Sequence, residues 1–151
     1  MARRPLPAPA AALLASPDDV EAQFYEALQQ ADIERLMAVW ADDDEIVCVH
    51  PGGGRLIGSA AIRASFEAIF ASGAIPVQPE QIHRLQALGS AVHHLVERIT
   101  VGGPETSQQA WVLATNVYVK TAQGWRLAAH HASPADPGDV AVAGDAPSTL
   151  H

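Results

Sequence analysis

Apolar residues recur every three or four positions through the first half of the chain and every second position through the second half, and this change of period sets the expected architecture. Val20, Phe24, Ala27, Leu28 and Ala31 form one helical stripe. The run Ser16-Pro17-Asp18-Asp19 before it is a helix start. It offers a serine cap, a proline in the first turn where its missing N–H costs nothing, and two acids at the positive end of the helix dipole. Asp32 caps a second helix with Ile33, Leu36, Met37 and Trp40 as its stripe, followed by four acids at 42–45. A strand over 46–50, a Pro51-Gly52 turn and a short return strand at Leu56-Ile57 come next. Gly58-Ser59 then opens a third helix carrying Ile62, Phe66, Ile69 and Phe70, which Gly73 ends.

Beyond Gly73 the pattern predicts four strands, over 77–88, 91–101, 108–121 and 125–133, joined by Gly89-Ser90, Gly102-Gly103-Pro104 and Gln123-Gly124. Short glycine-bearing connections join antiparallel neighbours. Three helices followed by an antiparallel meander predict an α+β domain over 16–133, its helices covering one face of a curved sheet. Residues 1–15, with prolines at 5, 7 and 9, are expected to be a flexible arm, and 134–151, which lack periodicity, a flexible tail. Arg3 and Arg4 before an alanine-rich run invite an export-signal reading, but the apolar stretch at 10–15 is too short and the prolines interrupt it.

Alternation sorts the faces of the long strands. In 108–121, Trp111, Leu113, Thr115, Val117 and Val119 share one face, and Val112, Ala114, Asn116 and Tyr118 the other. Both faces are largely apolar, so both need cover. Helices cover one, and a second copy of the chain is expected on the outer one as a homodimer. His130 is placed inward with Ala128 and Ala132, His131 outward, and His93 and His94 must likewise part.

The 151 residues suit one domain, and no stretch approaches the roughly 20 apolar residues needed to span a bilayer. A formal net charge of -8 with scattered basic residues argues against nucleic acid as partner, because phosphate binding relies on clustered Lys and Arg. Cys48 is the sole cysteine, which excludes an intramolecular disulfide and fits a reducing, cytoplasmic setting.

Chemistry concentrates in Val49-His50-Pro51-Gly52-Gly53-Gly54 and Ala129-His130-His131-Ala132-Ser133, two strand ends bearing imidazole, the side chain whose ordinary pKa lies nearest neutrality. With the run from Asp32-Ile33-Glu34 to Trp40-Ala41-Asp42-Asp43, then Val49-His50-Pro51 and Gly58 with its helix, the chain resembles the nuclear transport factor 2-like superfamily, particularly its SnoaL-like and ketosteroid isomerase-like members. The resemblance implies a cone-shaped curved antiparallel sheet with three helices on its concave face, the cystatin-like architecture. Members include isomerases, cyclases, dehydratases and proteins that only bind or assemble. The aspartate base of ketosteroid isomerases matches His50-Pro51, their oxyanion-binding aspartate matches Asn116, and their first-helix tyrosine falls at Phe24 or Tyr25. If Phe24 faces inward in place of Tyr25, the second oxyanion donor is missing.

The expected site therefore has His50 as proton-moving base, with Asn116 and His130 steadying an enolate. Phe24, Trp40, Val112, Ala114 and Tyr118 line the substrate pocket, and Arg63 on the third helix is placed to anchor a substrate carboxylate. The competing readings are a turn-capping His50, a hydrogen-bonded core His130 and an Arg63 paired with Glu67, while Glu97 either forms an ion pair with Arg126, the preferred reading, or serves the pocket. Asn116 in an apolar strand needs a partner: a ligand, a water or His130. Trp111 and Trp125 read as core or interface, since a stacking platform needs a basic groove. A metal set of His50, His130 and Glu97 is chemically possible, yet the chain has no short-spaced ligand motif, and neither metal nor cofactor is expected. Gly52-Gly53-Gly54 lacks the Lys-Ser/Thr of a phosphate loop and reads as a turn at the pocket mouth. The expected ligand is a small apolar or carbonyl compound. The expected activity is isomerase-, cyclase- or lyase-type, and the alternative is a dimeric ligand-binding or association module.

Overall fold

The computed structural model describes residues 14–140. Ser16 caps α1 (Pro17–Gln30), its hydroxyl accepting from Asp19 N at 3.1 Å, and α1 ends at Ala31, which takes a left-handed conformation. Asp32 caps α2 (Ile33–Ala38) by accepting from Arg35 N at 3.0 Å. The expected continuation of α2 to Trp40 gives way to the sheet: Val39 O accepts from Leu127 N at 2.7 Å, and Ala41 N donates to Leu127 O at 2.9 Å. Trp40 is thereby fixed as a one-residue bridge to Leu127. The hairpin of β1 (Val47–Val49) and β2 (Arg55–Ile57) leads to α3 (Ser59–Phe70), and β3 (Val77–Gln86), β4 (Ser90–Val101), β5 (Gln108–Thr121) and β6 (Gly124–Ala135) form the meander.

The six strands make one curved, unclosed sheet in the order β2-β1-β6-β5-β4-β3. Every pairing is antiparallel except β1 with β6, which run parallel because β1 enters the sheet from the helical half and lies against the last strand. The core fills the space between the helices and the inner face, built around Phe24, Tyr25, Leu36, Ile62, Leu95, Tyr118 and Leu127. Outer-face Trp111, Leu113, Thr115, Val117 and Val119 remain partly exposed. No helix among the described residues is long and apolar enough to cross a membrane.

Packing and strand pairing extend past residues 16 and 133 on both sides. Leu14 is buried, and its carbonyl accepts from Trp125 N at 3.0 Å. The approach is so close that a Cβ on Gly124 (φ +105°) would sit 2.6 Å from Leu14 O. At the other end Pro134 and Ala135 belong to β6, and Val140 is buried. The remainder of the expected arm and tail, 1–13 and 141–151, lies outside the described residues.

Candidate active site

Strand register brings four polar residues into one row across the inner face. His93 pairs with Asn116, Asn116 with His130, and His130 with Cys48, so β4, β5, β6 and β1 each contribute one side chain to the same side. Above the row, α1 turns Glu21, Phe24 and Tyr25 inward, residues three and four apart on one helical face. Two residues along β4 from Leu95, Glu97 joins them from the same strand face as His93.

These groups are bonded into one buried network. Tyr25 Oη donates to Glu97 Oε2 at 2.7 Å and accepts from Asn116 Nδ2 at 3.1 Å. Tyr118 Oη donates to Glu21 Oε2 at 2.7 Å, and His93 Nδ1 bonds Glu21 Oε1 at 3.0 Å. Because the amide nitrogen of Asn116 is directed at Tyr25, its oxygen faces His130 and accepts from Nδ1–H at 2.5 Å. That bond fixes the tautomer and leaves the lone pair on His130 Nε2, 3.8 Å from Glu97 Oε2.

Burial drives the electrostatics. Desolvation raises the Glu97 carboxyl to about 7, opposed by the Tyr25 hydrogen bond. It lowers His130 to about 3, with the nearby His50 and His131 imidazoles adding to the effect, so that ring is neutral at pH 7. Desolvation also raises Tyr25 and Tyr118 well above the usual phenol range. Cys48 is pushed up to about 12 by burial and by the charge of Glu97, which makes it an inert thiol.

His50 stands at the end of β1, half-buried, with Nε2 2.6 Å from Ser65 Oγ of α3, and burial lowers its pKa. It meets Phe66 edge-on at 4.9 Å. Phe66 meets Phe24 at 6.4 Å, and Phe24 meets His130 at 5.0 Å, so a row of rings runs from His50 to the buried network. Trp40 packs edge-on against Phe24 at 6.5 Å, and its indole N–H is buried with no acceptor among the described residues.

The structure therefore gathers Asn116, His130, Phe24, Trp40, Val112, Ala114 and Tyr118 in or beside the inner core, with His50 at its rim. Arg63 is not among them. It lies outside on α3, bound to Glu34 at 2.6 Å and to Glu67 at 3.0 Å. Glu97 has no pairing with Arg126, whose Nη1 donates to Trp125 O. Its carboxyl instead belongs to the inner network.

Sequence reasoning left open Tyr25 and the choice between His93 and His94, and missed Glu21 and Ser65. Glu21 had one signal: it sits one position after Val20 and three before Phe24, on the edge of the buried stripe. Asp18, Glu21 and His93 offer ligand atoms within 4.8 Å of one another, but Asp18 is held by Arg84 at 2.9 Å and Glu21 already accepts from His93 and Tyr118. His50, His130 and Glu97 form no such group among the described residues. Two surface cavities of about 430 and 590 Å³ flank the acidic segment 41–45, away from His50, Asn116 and His130.

Residues 18–137 match the model of the SnoaL-like domain. The chain belongs to the SnoaL-like family. Its place in the nuclear transport factor 2-like superfamily is reinforced by solved structures. A protein from Thiobacillus denitrificans, named "putative calcium/calmodulin-dependent protein kinase type II association domain", is 34% identical over 82% of this SnoaL-like chain and 98% of its own, with a TM-score of 0.75. A "putative dehydratase from the NTF2-like family" from Streptomyces avermitilis is 31% identical over 77% of this chain and 91% of its own, with a TM-score of 0.69. The S. rosetta CaMKII hub, 18% identical over 80% of this chain and 98% of its own at a TM-score of 0.63, shares the fold. Among curated proteins no sequence matches this SnoaL-like chain.

Proposed function

We propose that this SnoaL-like domain is a small-molecule enzyme of isomerase, cyclase or lyase type that transfers a proton on an enolisable carbonyl compound. The observation that carries this reading is the inner-face pair formed by Glu97, a carboxyl raised to about 7, and His130, an imidazole held neutral, 3.8 Å apart. Titratable groups whose surroundings push their pKa values apart are what acid–base chemistry at neutral pH requires. His50, neutral at pH 7, removes the proton beside the carbonyl. The Tyr25 hydroxyl and the Asn116 amide, bonded to Glu97 and to Tyr25 in this structure, exchange those partners for the enolate oxygen, and Ser65 holds the His50 ring in place. Glu97, close to half protonated at neutral pH, donates its own proton at a second carbon or to a departing hydroxyl, and the starting state returns as His50 releases its proton to water and Glu97 takes one up when product leaves. Donation to a departing hydroxyl accords with the dehydratase name carried by the S. avermitilis relative. The orphan indole N–H of Trp40 adds support, since a buried donor without an acceptor is costly and a ligand oxygen would relieve it. Phe24 and Phe66 fill the route from His50 to His130, so substrate enters as these rings give way.

Phenols imitate an enolate oxygen and provide the test. Phenol is expected to raise the melting temperature of the wild-type protein, with a smaller rise in Tyr25→Phe and Asn116→Ala. A flat response to a whole panel of phenols would instead favour association.

That second reading, a dimeric association module, draws on the apolar outer face of β5 and on the association-domain name of the T. denitrificans relative. It expects the protein to run as a dimer in solution and Val117→Arg, in the middle of that face, to convert it to monomer. A wild-type protein that is monomeric at micromolar concentration would dispose of the outer-face interface.

A further inference from the structure

We infer that the inner site takes an uncharged hydroxy or carbonyl compound and turns carboxylates away, with Glu97 as the residue that sets this choice. The inference rests on the proposed reading that small molecules bind at the Glu97–His130 cluster.

Charge sets the selection. Among the described residues the inner network contains two carboxyl side chains, Glu21 and Glu97, both about 95% buried, and no Lys or Arg free to meet an incoming anion. Arg84 shares the face of His93 by strand pairing but sits at the far edge, bound to Asp18 at 2.9 Å. Arg63 is spent on Glu34 and Glu67 outside α3, and Arg35 and Arg98 pair with Glu26 and Glu80. Arg126 pairs with Val119 and Arg55 with Val49, which places both on the opposite face from His130 and Cys48. Lys120 is exposed near the end of β5.

A carboxylate entering this space loses its water and meets Glu97 with no compensating charge, the arrangement that disfavours ionised groups most strongly. An uncharged ligand meets complementary groups. Its hydroxyl has the free lone pair of His130 Nε2 to donate to, because Nδ1 is committed to Asn116. Its carbonyl oxygen has the indole N–H of Trp40, a buried donor of the same core whose proton no described residue accepts, to accept from.

Benzamide and benzoate are close in size and differ in charge, and phenol adds a hydroxyl probe. Titration of each into the wild-type protein at pH 8, read from the imidazole resonances of His130 and fitted for Kd, is expected to show benzamide and phenol binding at least about tenfold more tightly than benzoate. In Glu97→Gln the gap between benzamide and benzoate should narrow. Benzoate binding within about threefold of benzamide in the wild type would overturn charge selection while leaving an inner ligand site intact. An unchanged gap in Glu97→Gln would remove Glu97 as its cause. If none of the three probes moves the His130 resonances, the inner-site reading itself falls. The wild-type comparison stands on its own should the variant fold poorly.

Discussion

Glu97→Gln is expected to melt higher than the wild-type protein at pH 8, by roughly 6–12 °C, and to differ little at pH 5. In the folded protein the Glu97 carboxyl is raised from 4.5 to about 7, chiefly by desolvation. The folded state therefore holds this proton more tightly than the unfolded chain does. As pH climbs from about 4.5 to 7 the unfolded chain releases its proton first, and stability drains away until the folded carboxyl also ionises. The displacement corresponds to a penalty on the order of 3 kcal/mol at about 1.4 kcal/mol per pH unit, and domains of this size shift by about 2–4 °C per kcal/mol. Glutamine carries no proton to lose and keeps an oxygen for the Tyr25 hydroxyl. His130 has the opposite sign: with its pKa lowered to about 3, its stabilisation is complete above 6.5 and fades toward pH 3. Because His130 is present in both proteins, the difference between their urea midpoints isolates Glu97. A difference that stays constant from pH 5 to 8 would show that Glu97 ionises in the fold as it does in water.

Phe24→Ala is expected to cost about 3–5 kcal/mol, the range for removing a fully buried aromatic ring. Phe24 is completely inaccessible and lies 5.0 Å from Tyr25, 6.4 Å from Phe66, 6.5 Å from Trp40 and 5.0 Å from His130, ring centre to ring centre. Four rings lean on it from α1, α2's end, α3 and β6, so they cannot all move in to fill the space it leaves. The resulting cavity beside His130 is lined mainly by aromatic side chains, and phenol or benzene should bind there and restore part of the lost stability. Urea midpoints with and without ligand provide the measurement. A loss below about 1 kcal/mol would mean that neighbouring rings close over the gap, and with it the route from His50 to the network would no longer depend on Phe24.

Several features were readable from residue order alone. Ser16 and Asp32 cap their helices as their side-chain chemistry dictates, because a short oxygen-bearing side chain satisfies backbone N–H groups within its own turn. The faces of β5 separate as alternation requires, with Val112, Ala114, Asn116 and Tyr118 buried and their neighbours partly exposed. His130 and Ala132 face inward and His131 outward for the same reason, and Asn116 found His130 as one of its expected partners, but a register shift against Val117 and Tyr118 breaks the alternation in β6, so Leu127 faces inward in place of the expected Ala128. All of these but the shift depend on contacts within a few residues or on the period of a single strand.

What the sequence left open depends on which strand lies beside which and how far each is slid. Nothing local specifies that β1 joins β6 in parallel with Cys48 opposite His130, or that His93, Asn116 and His130 fall in one row. A slip of one residue would have turned each of them to the other face. Helix α1 had to dock at one rotation for Tyr25 to reach Glu97, 72 residues away, and this contact gave the carboxyl a partner other than Arg126. Arg63 shows the converse case, where one expected alternative, its i+4 partner Glu67, was local and legible, while Glu34 required α2 and α3 to meet. The sequence by itself determined the helices, the strand faces and the candidate imidazoles, because those follow from periodicity and short-range hydrogen bonding. The tertiary structure alone decided which titratable groups share a desolvated space, because burial and charge coupling arise only when distant segments exclude water together.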